Sequence, residues 1–250
     1  MANVQLFCLP YSGASAMVYS RWRRSLPEWV KITPVELPGR GSRLGEALQT
    51  DMQSLARQLV REILPGINGT YALFGHSLGA LLAFEMAHAL RDAGVRQPLA
   101  LIASGTAAPT RREAYEREFA VPKTDAQLKH DLQTLQGTPP EVLENEELMA
   151  LTLPILRADF LMCGRYRYGV RPPLACAIHV LGGADDRATQ EQLIAWQREG
   201  ESAFSLDMLP GGHFFIHEHE AKTLRTLRTS LESDLKRAQR TSASGEAVLA

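Results

Sequence analysis

Gly75-His76-Ser77-Leu78-Gly79 is a Gly-x-Ser-x-Gly sequence. A serine between two glycines can sit on a sharp strand-to-helix turn, where a Cβ on either side would collide with the chain. The pattern alone is weak, and its surroundings give it weight. Thr70–Phe74 is an apolar run with strand character, and Leu78–Ala93 carries apolar residues at three-to-four spacing, as a helix does. Strand, elbow and helix together suit a serine that attacks an acyl carbon. The competing reading is a glycine-rich turn whose serine caps a helix.

A serine hydroxyl is a poor nucleophile at neutral pH and needs a base. Of the seven histidines, His213 is the best placed, because Leu209-Pro210-Gly211-Gly212-His213-Phe214-Phe215 follows an apolar strand pattern with a glycine turn. His217 and His219 lie nearby, but His-x3-His-x-His without a His-Glu-x-x-His arrangement is a poor metal signature, and no metal is expected. The base in turn needs a carboxylate to hold its tautomer. The strand pattern Ala177–Leu181 ends in Gly182-Gly183-Ala184-Asp185-Asp186, and either aspartate can serve. The order Ser, Asp, His is that of α/β-hydrolases. Two amides are candidates for a developing oxyanion: Leu78, next after the nucleophile, and Ser12, in the small-residue loop Pro10–Ser15. Losing one such donor costs about 3–4 kcal/mol of transition-state stabilisation.

These residues need a frame. Val4–Leu9, Lys31–Glu36, Thr70–Phe74, Leu99–Ser104, Ala177–Leu181 and Phe204–Leu209 read as strands. Met52–Leu64, Leu78–Ala93, Gln190–Glu199 and Ala221–Arg237 read as helices between them. Such alternation predicts a mostly parallel central sheet flanked by helices, with the ligand site at the carboxyl ends of the strands. From about 109 to 171 no strand pattern appears. Asp125–Gln136 and Glu146–Tyr168 look helical around Pro139-Pro140, so a helical lid insertion is expected there. Residues 1–240 read as one domain, and 241–250, small and polar, as a disordered tail.

Composition removes other classes. The 250 residues are 45% hydrophobic and 22% charged, as in a globular domain. With 27 basic against 28 acidic residues, the net charge of −1 gives no support for nucleic-acid binding. Three scattered cysteines, Cys8, Cys163 and Cys176, suit reduced thiols in the cytoplasm. The first residues lack a secretory pattern, and no apolar run of membrane-spanning length occurs, so no membrane association is expected.

The motifs resemble those of the type II thioesterases of non-ribosomal peptide and polyketide synthesis, over about residues 4–227. Leu9-Pro10-Tyr11-Ser12-Gly13-Ala14 resembles the family's Pro-His-Ala-Gly-Gly loop, and Leu37-Pro38-Gly39-Arg40 its Leu-Pro-Gly-Arg segment. Gly137-Thr138-Pro139-Pro140-Glu141-Val142 and Leu153–Phe160 resemble its lid, and Gly211–Phe215 its histidine loop. Tyr11, Ser12 and Ala14 depart from the family's histidine, alanine and second glycine, changes that a backbone donor survives. The resemblance implies an α/β-hydrolase fold and favours Asp185 over Asp186, because Gly182, Asp185 and Trp196 fit the family spacing without a gap. It implies as substrate an acyl thioester on the phosphopantetheine arm of an acyl- or peptidyl-carrier protein, cleared without any cofactor. It also implies an acyl chamber under the lid, with Leu148, Leu151, Leu156, Phe160 and Met162 as candidate lining. Arg21, Arg23 and Arg24, or Arg111 and Arg112, are candidates for a basic rim facing an acidic carrier. The alternatives are a carboxylesterase or lipase acting on small free esters, and a non-catalytic scaffold.

Overall fold

Six parallel strands form one sheet: β1 (Val4–Leu9), β2 (Val30–Pro34), β3 (Thr70–His76), β4 (Ala100–Ser104), β5 (Ala177–Gly183) and β6 (Phe204–Leu209). Their order is β2-β1-β3-β4-β5-β6. The structure is a computed structural model that describes residues 3–112, 118–135 and 140–248. The strands β3, β4 and β5 are covered on both faces, which is why they read as nearly unbroken apolar runs. Alternate side chains feed two cores. Phe7, Leu73, Leu101 and Val180 pack with α1 (Met52–Ile63) and α2 (Leu78–Asp92). Leu6, Phe74, Ile102 and Leu181 pack on the opposite face with Trp22, Leu224, Leu227 and Leu231.

The chain leaves β1 for β2 on one side and returns to β3 on the other. A crevice therefore opens between the carboxyl ends of β1 and β3, the usual place for a ligand in an open parallel sheet. The register sharpens this. Leu9 pairs with Gly75, His76 with Ser104, Ser104 with Leu181 and Gly183 with Leu209, so the loops after all five strands emerge at one edge.

Between β4 and β5 the described residues add no strand to the sheet and carry three α-helices: α3 (Asp125–Leu135), the short α4 (Pro140–Leu143) and α5 (Glu146–Arg165). Leu128, Met149, Leu153, Leu156 and Phe160 give this insertion a small core of its own. The Gly137–Pro139 part of the expected lid motif lies outside the described residues. After β5 come α6 (Gln190–Ile194), opened by a Thr189–Gln192 capping box, and a 3-10 turn to Glu199. The chain then closes with α7 (Phe215–Glu218) and α8 (Glu220–Val248). Residues 241–248, expected as a disordered tail, continue α8. Adding residues to an existing helix is cheap compared with starting one, and Ala243, Glu246 and Ala247 are good helix formers.

One buried polar knot braces this frame. Glu85 of α2 accepts both Arg171 amino groups, at 3.0 and 2.6 Å, and the Tyr166 hydroxyl at 2.7 Å. One turn further along α2, His88 is 1% exposed, packs its ring edge-on to Phe84, and among the described residues has no hydrogen-bond partner on either ring nitrogen. Burial, with Arg171 and Arg91 nearby, pushes its pKa down to about 3. The unfolded chain therefore binds a proton near pH 6.5 that the folded chain refuses until about pH 3, and stability drains as pH falls through that window. His88→Leu is expected to lessen the acid loss by up to about 1.4 kcal/mol per pH unit. Urea midpoints of both proteins from pH 7.5 to 4.5 check this; parallel curves would refute it.

Candidate active site

Ser77 adopts φ 55° and ψ −117°, the one positive φ outside glycine among the described residues. A backbone held there costs of the order of 1–3 kcal/mol. The turn is held by the Ser77 amide donating to Ser104 O at 2.7 Å and by close packing on both sides. A Cβ on Gly75 would lie 2.0 Å from Gly79 O, and one on Gly79 would lie 2.2 Å from Leu9 O. Only glycine fits at either position. The result presents the serine at the head of α2, with the Leu78 amide at the positive end of that helix.

The histidine and acid loops are tied to each other through backbone. Ala184 N donates to Leu209 O at 2.7 Å, and Asp185 N to Gly211 O at 3.0 Å. The histidine loop passes so close to β5 that a Cβ on Gly183 would lie 2.4 Å from Gly212 O. The carboxylate that reaches the imidazole is Asp186: His213 Nδ1 lies 3.0 and 3.2 Å from its two oxygens. The expectation of Asp185 is thus corrected. Its amide is bound to the Gly211 carbonyl and its side chain is exposed, while the following turn, with Asp186 N donating to Gly183 O, carries the next carboxylate to His213. The Asp186 side chain is 4% exposed, and its Oδ1 also accepts the Arg187 amide at 2.7 Å.

A cavity of about 70 Å³ collects the expected groups Ser12, Ser77, Leu78, Phe160 and His213, together with Asp186. Gly105, Thr106, Arg112, Phe119, Cys163 and Arg187 complete its wall. Of the expected chamber residues, Phe160 alone lines it, its ring tilted at 51° against Phe119 with centroids 4.7 Å apart. Leu148 and Leu151 are 44% and 59% exposed, on the outer side of α5. Leu156 packs in the insertion's core, and Met162 in the core beneath α1 and α2. A helix of mixed apolar character does not declare its inner face in sequence. Arg112 was anticipated as surface charge; it is buried and donates to Thr106 Oγ1 at 2.7 Å. Arg21, Arg23 and Arg24 are exposed on the 3-10 helix that follows the Ser12 loop.

Two further groups in the neighbourhood could compete with the serine and its base. Burial pushes the Cys163 thiol up to about 11, so it stays protonated at neutral pH. His76 is fully buried, donates to or accepts from Ser104 Oγ at 2.9 Å, and sits 5.0 Å from the His213 ring. Desolvation, and then the neighbouring His213 and His217, hold its pKa well below the usual imidazole value, so it faces His213 uncharged. Tyr11, where a histidine was the usual residue, meets His217 Nε2 at 3.0 Å through its hydroxyl. Among the described residues no group of three His, Cys, Asp or Glu side chains is placed to hold a metal, and no helix is long and apolar enough to cross a membrane. A larger cleft of about 710 Å³ lies at the amino ends of the strands, beside Tyr71, Arg96 and Asp234. It contains none of the reacting groups named above, so chemistry and not size selects the site.

Comparison with known proteins places the chain among thioesterases. Residues 4–231 match the thioesterase domain family. "Linear gramicidin dehydrogenase LgrE" of Brevibacillus parabrevis is 38% identical over 94% of this chain and 90% of its own length. Its name is a dehydrogenase's; this chain has no Gly-x-Gly-x-x-Gly dinucleotide fingerprint. The RedJ thioesterase from the prodiginine pathway of Streptomyces coelicolor superposes with a TM-score of 0.84 at 35% identity, covering 91% of this chain and 90% of RedJ. The type II thioesterase BorB from the borrelidin cluster superposes at 0.82 with 36% identity, covering 92% and 93%.

The geometry separates the two neighbouring aspartates sharply. Asp186→Asn is expected to lower kcat by about 10⁴, the size of loss seen when a triad carboxylate can no longer hold the histidine tautomer. Asp185→Asn is expected to stay within about threefold of wild type, as an exposed surface change does. Steady-state kinetics of both variants check the assignment, and the reverse ranking would return the role to Asp185.

Proposed function

The chain belongs to the thioesterase domain family, a hydrolase of thioesters, and we propose that it releases short acyl groups from the phosphopantetheine arm of a carrier protein through Ser77, His213 and Asp186. The observation that supports this most is the His213–Asp186 contact at the wall of a cavity that also holds Ser77 and the Ser12 and Leu78 amides.

Asp186 on Nδ1 sets the imidazole so that Nε2 is the basic nitrogen offered to Ser77. His213 takes the serine proton as the oxygen attacks the thioester carbonyl. The negative charge that forms on the carbonyl oxygen is met by the Ser12 and Leu78 amides, neither of which donates to a protein acceptor among the described residues. The carbon–sulfur bond breaks and the imidazolium returns its proton to the pantetheine sulfur. Water then gives its proton to His213 and attacks the acyl-serine, and the serine recovers its proton as the acid leaves. A neutral His76 helps here, since a second positive charge 5.0 Å away would oppose the imidazolium.

A cavity of about 70 Å³ lined by Phe119 and Phe160 suits acyl groups of a few carbons. Short, stalled acyl groups on synthase carrier domains match that size. Several relatives belong to peptide and polyketide pathways, which supports such a clearing role. The exposed Arg21, Arg23 and Arg24 beside the Ser12 loop suit an acidic carrier surface, and three buried thiols suit the cytoplasm.

The test is a carrier domain loaded with acetyl, butyryl or octanoyl pantetheine, with acyl loss followed by intact-protein mass spectrometry. The expected result is release that falls with chain length and vanishes in Ser77→Ala, where removal of the nucleophile costs about 10⁶ in kcat. Release no faster than in Ser77→Ala, while a p-nitrophenyl ester is still cleaved, would favour a small-ester hydrolase instead.

A further inference from the structure

The Ser12 loop is a tight turn. Ala14 N donates to Tyr11 O at 3.0 Å, and Gly13, third of the four residues, has φ +79°. A positive φ at that position marks a type II turn, in which the central peptide is flipped relative to the commoner type I. The central peptide here joins Ser12 to Gly13, and its N–H donates to Asp159 Oδ2 at 2.8 Å. Asp159 belongs to α5, and its carboxylate is wholly buried. Arg40 clamps that carboxylate with both amino groups, at 2.6 and 2.7 Å, and reaches the Ala14 carbonyl at 3.4 Å.

Three segments distant in sequence therefore meet behind one peptide plane. Tyr11 O and the Ser12 N–H share a peptide group, so the Tyr11–Ala14 hydrogen bond orients the Ser12 amide. The turn type depends in turn on where the Gly13 N–H finds an acceptor. We propose that Asp159, held by Arg40, is a positioning residue for catalysis, which fixes the Ser12 amide at the oxyanion position from outside the cavity. Neither side chain lines that cavity, so neither touches the reacting atoms. Arg40 also keeps the device neutral, because an unpaired carboxylate behind the loop would oppose the oxyanion it serves. The proposal rests on the reading of the Ser12 amide as an oxyanion donor.

The test compares wild type, Asp159→Asn and Arg40→Lys. In Asp159→Asn the side-chain amide cannot accept from Gly13 and from both Arg40 amino groups together, so the turn is released. In Arg40→Lys the charge stays and the two-pronged grip is lost. Kinetics per active site titrated with a fluorophosphonate are measured on a small acyl-pantetheine thioester. Affinities are measured for a trifluoromethyl ketone, which forms the tetrahedral oxyanion adduct, and for the matching thioether, which does not. Asp159→Asn is expected to lose about 10²–10³ in kcat, the cost of one oxyanion donor, with KM and thioether affinity within about threefold and trifluoromethyl ketone affinity falling in parallel with kcat. Arg40→Lys is expected to show the same pattern, about tenfold in size, and carries the test if Asp159→Asn does not fold. Unchanged kcat per titrated site, or equal losses for ketone and thioether, would overturn the proposal and leave the serine mechanism standing. A wild type whose turnover survives Ser77→Ala would overturn both.

Discussion

Everything at the site depends on how closely the first turn of α2 approaches the end of β1. Gly79 lies against the Leu9 carbonyl, and Gly75 against the backbone of Gly79, at distances that no side chain tolerates. The approach forces Ser77 into its strained conformation and brings the loop that starts at Pro10 alongside the Leu78 amide. Register does the rest. Because Leu9 pairs with Gly75, β1 stops level with the elbow, and its loop begins there. The strain is of the order of a few kcal/mol, and the apolar packing of α2, from Leu78 to Leu90, is what a single turn can lean on.

The polar groups around the nucleophile fall into two kinds. Some are held neutral by burial: Cys163 by desolvation, and His76 by desolvation and by the histidines beside it. Others are held in buried pairs: Asp186 with His213, and Asp159 with Arg40. The division follows from the cost of a lone buried charge, which either shifts its protonation or takes a partner.

How much of this was legible in the sequence follows from the range of each interaction. The elbow, the histidine loop and six strands are written in short local patterns, and the strands lie within two residues of the expected bounds, Lys31–Glu36 being Val30–Pro34. The local pattern leaves both aspartates open and the family spacing points to Asp185, whereas the turn after β5, oriented by contacts with Leu209 and Gly211, carries Asp186 to the imidazole. Nothing near Asp185 in sequence encodes those contacts. The chamber wall was largely missed for a similar reason. Phe119, Arg112 and Thr106 come from the approach to the insertion, while the apolar residues of α5 that looked suitable belong to other packing. Arg40 and Leu153–Phe160 were both visible as motifs, but a pairing over 119 residues leaves no local trace.

That distance has a consequence for descent and for grafting. Arg40 and Asp159 are each buried, and either one alone would be an uncompensated charge, at a cost of about 3–5 kcal/mol. A lineage can therefore shed the pair only by changing both positions nearly together, or by passing through an intermediate that folds badly. The helical insertion is accordingly not a free cassette, although its own small core makes it look like one. A donor helix without an acidic residue in register with position 159 would strand Arg40 and release the Gly13 turn. What is inherited as a unit is a triplet of segments, 10–15, 37–43 and 153–160, and lids exchanged between relatives would have to travel with all three.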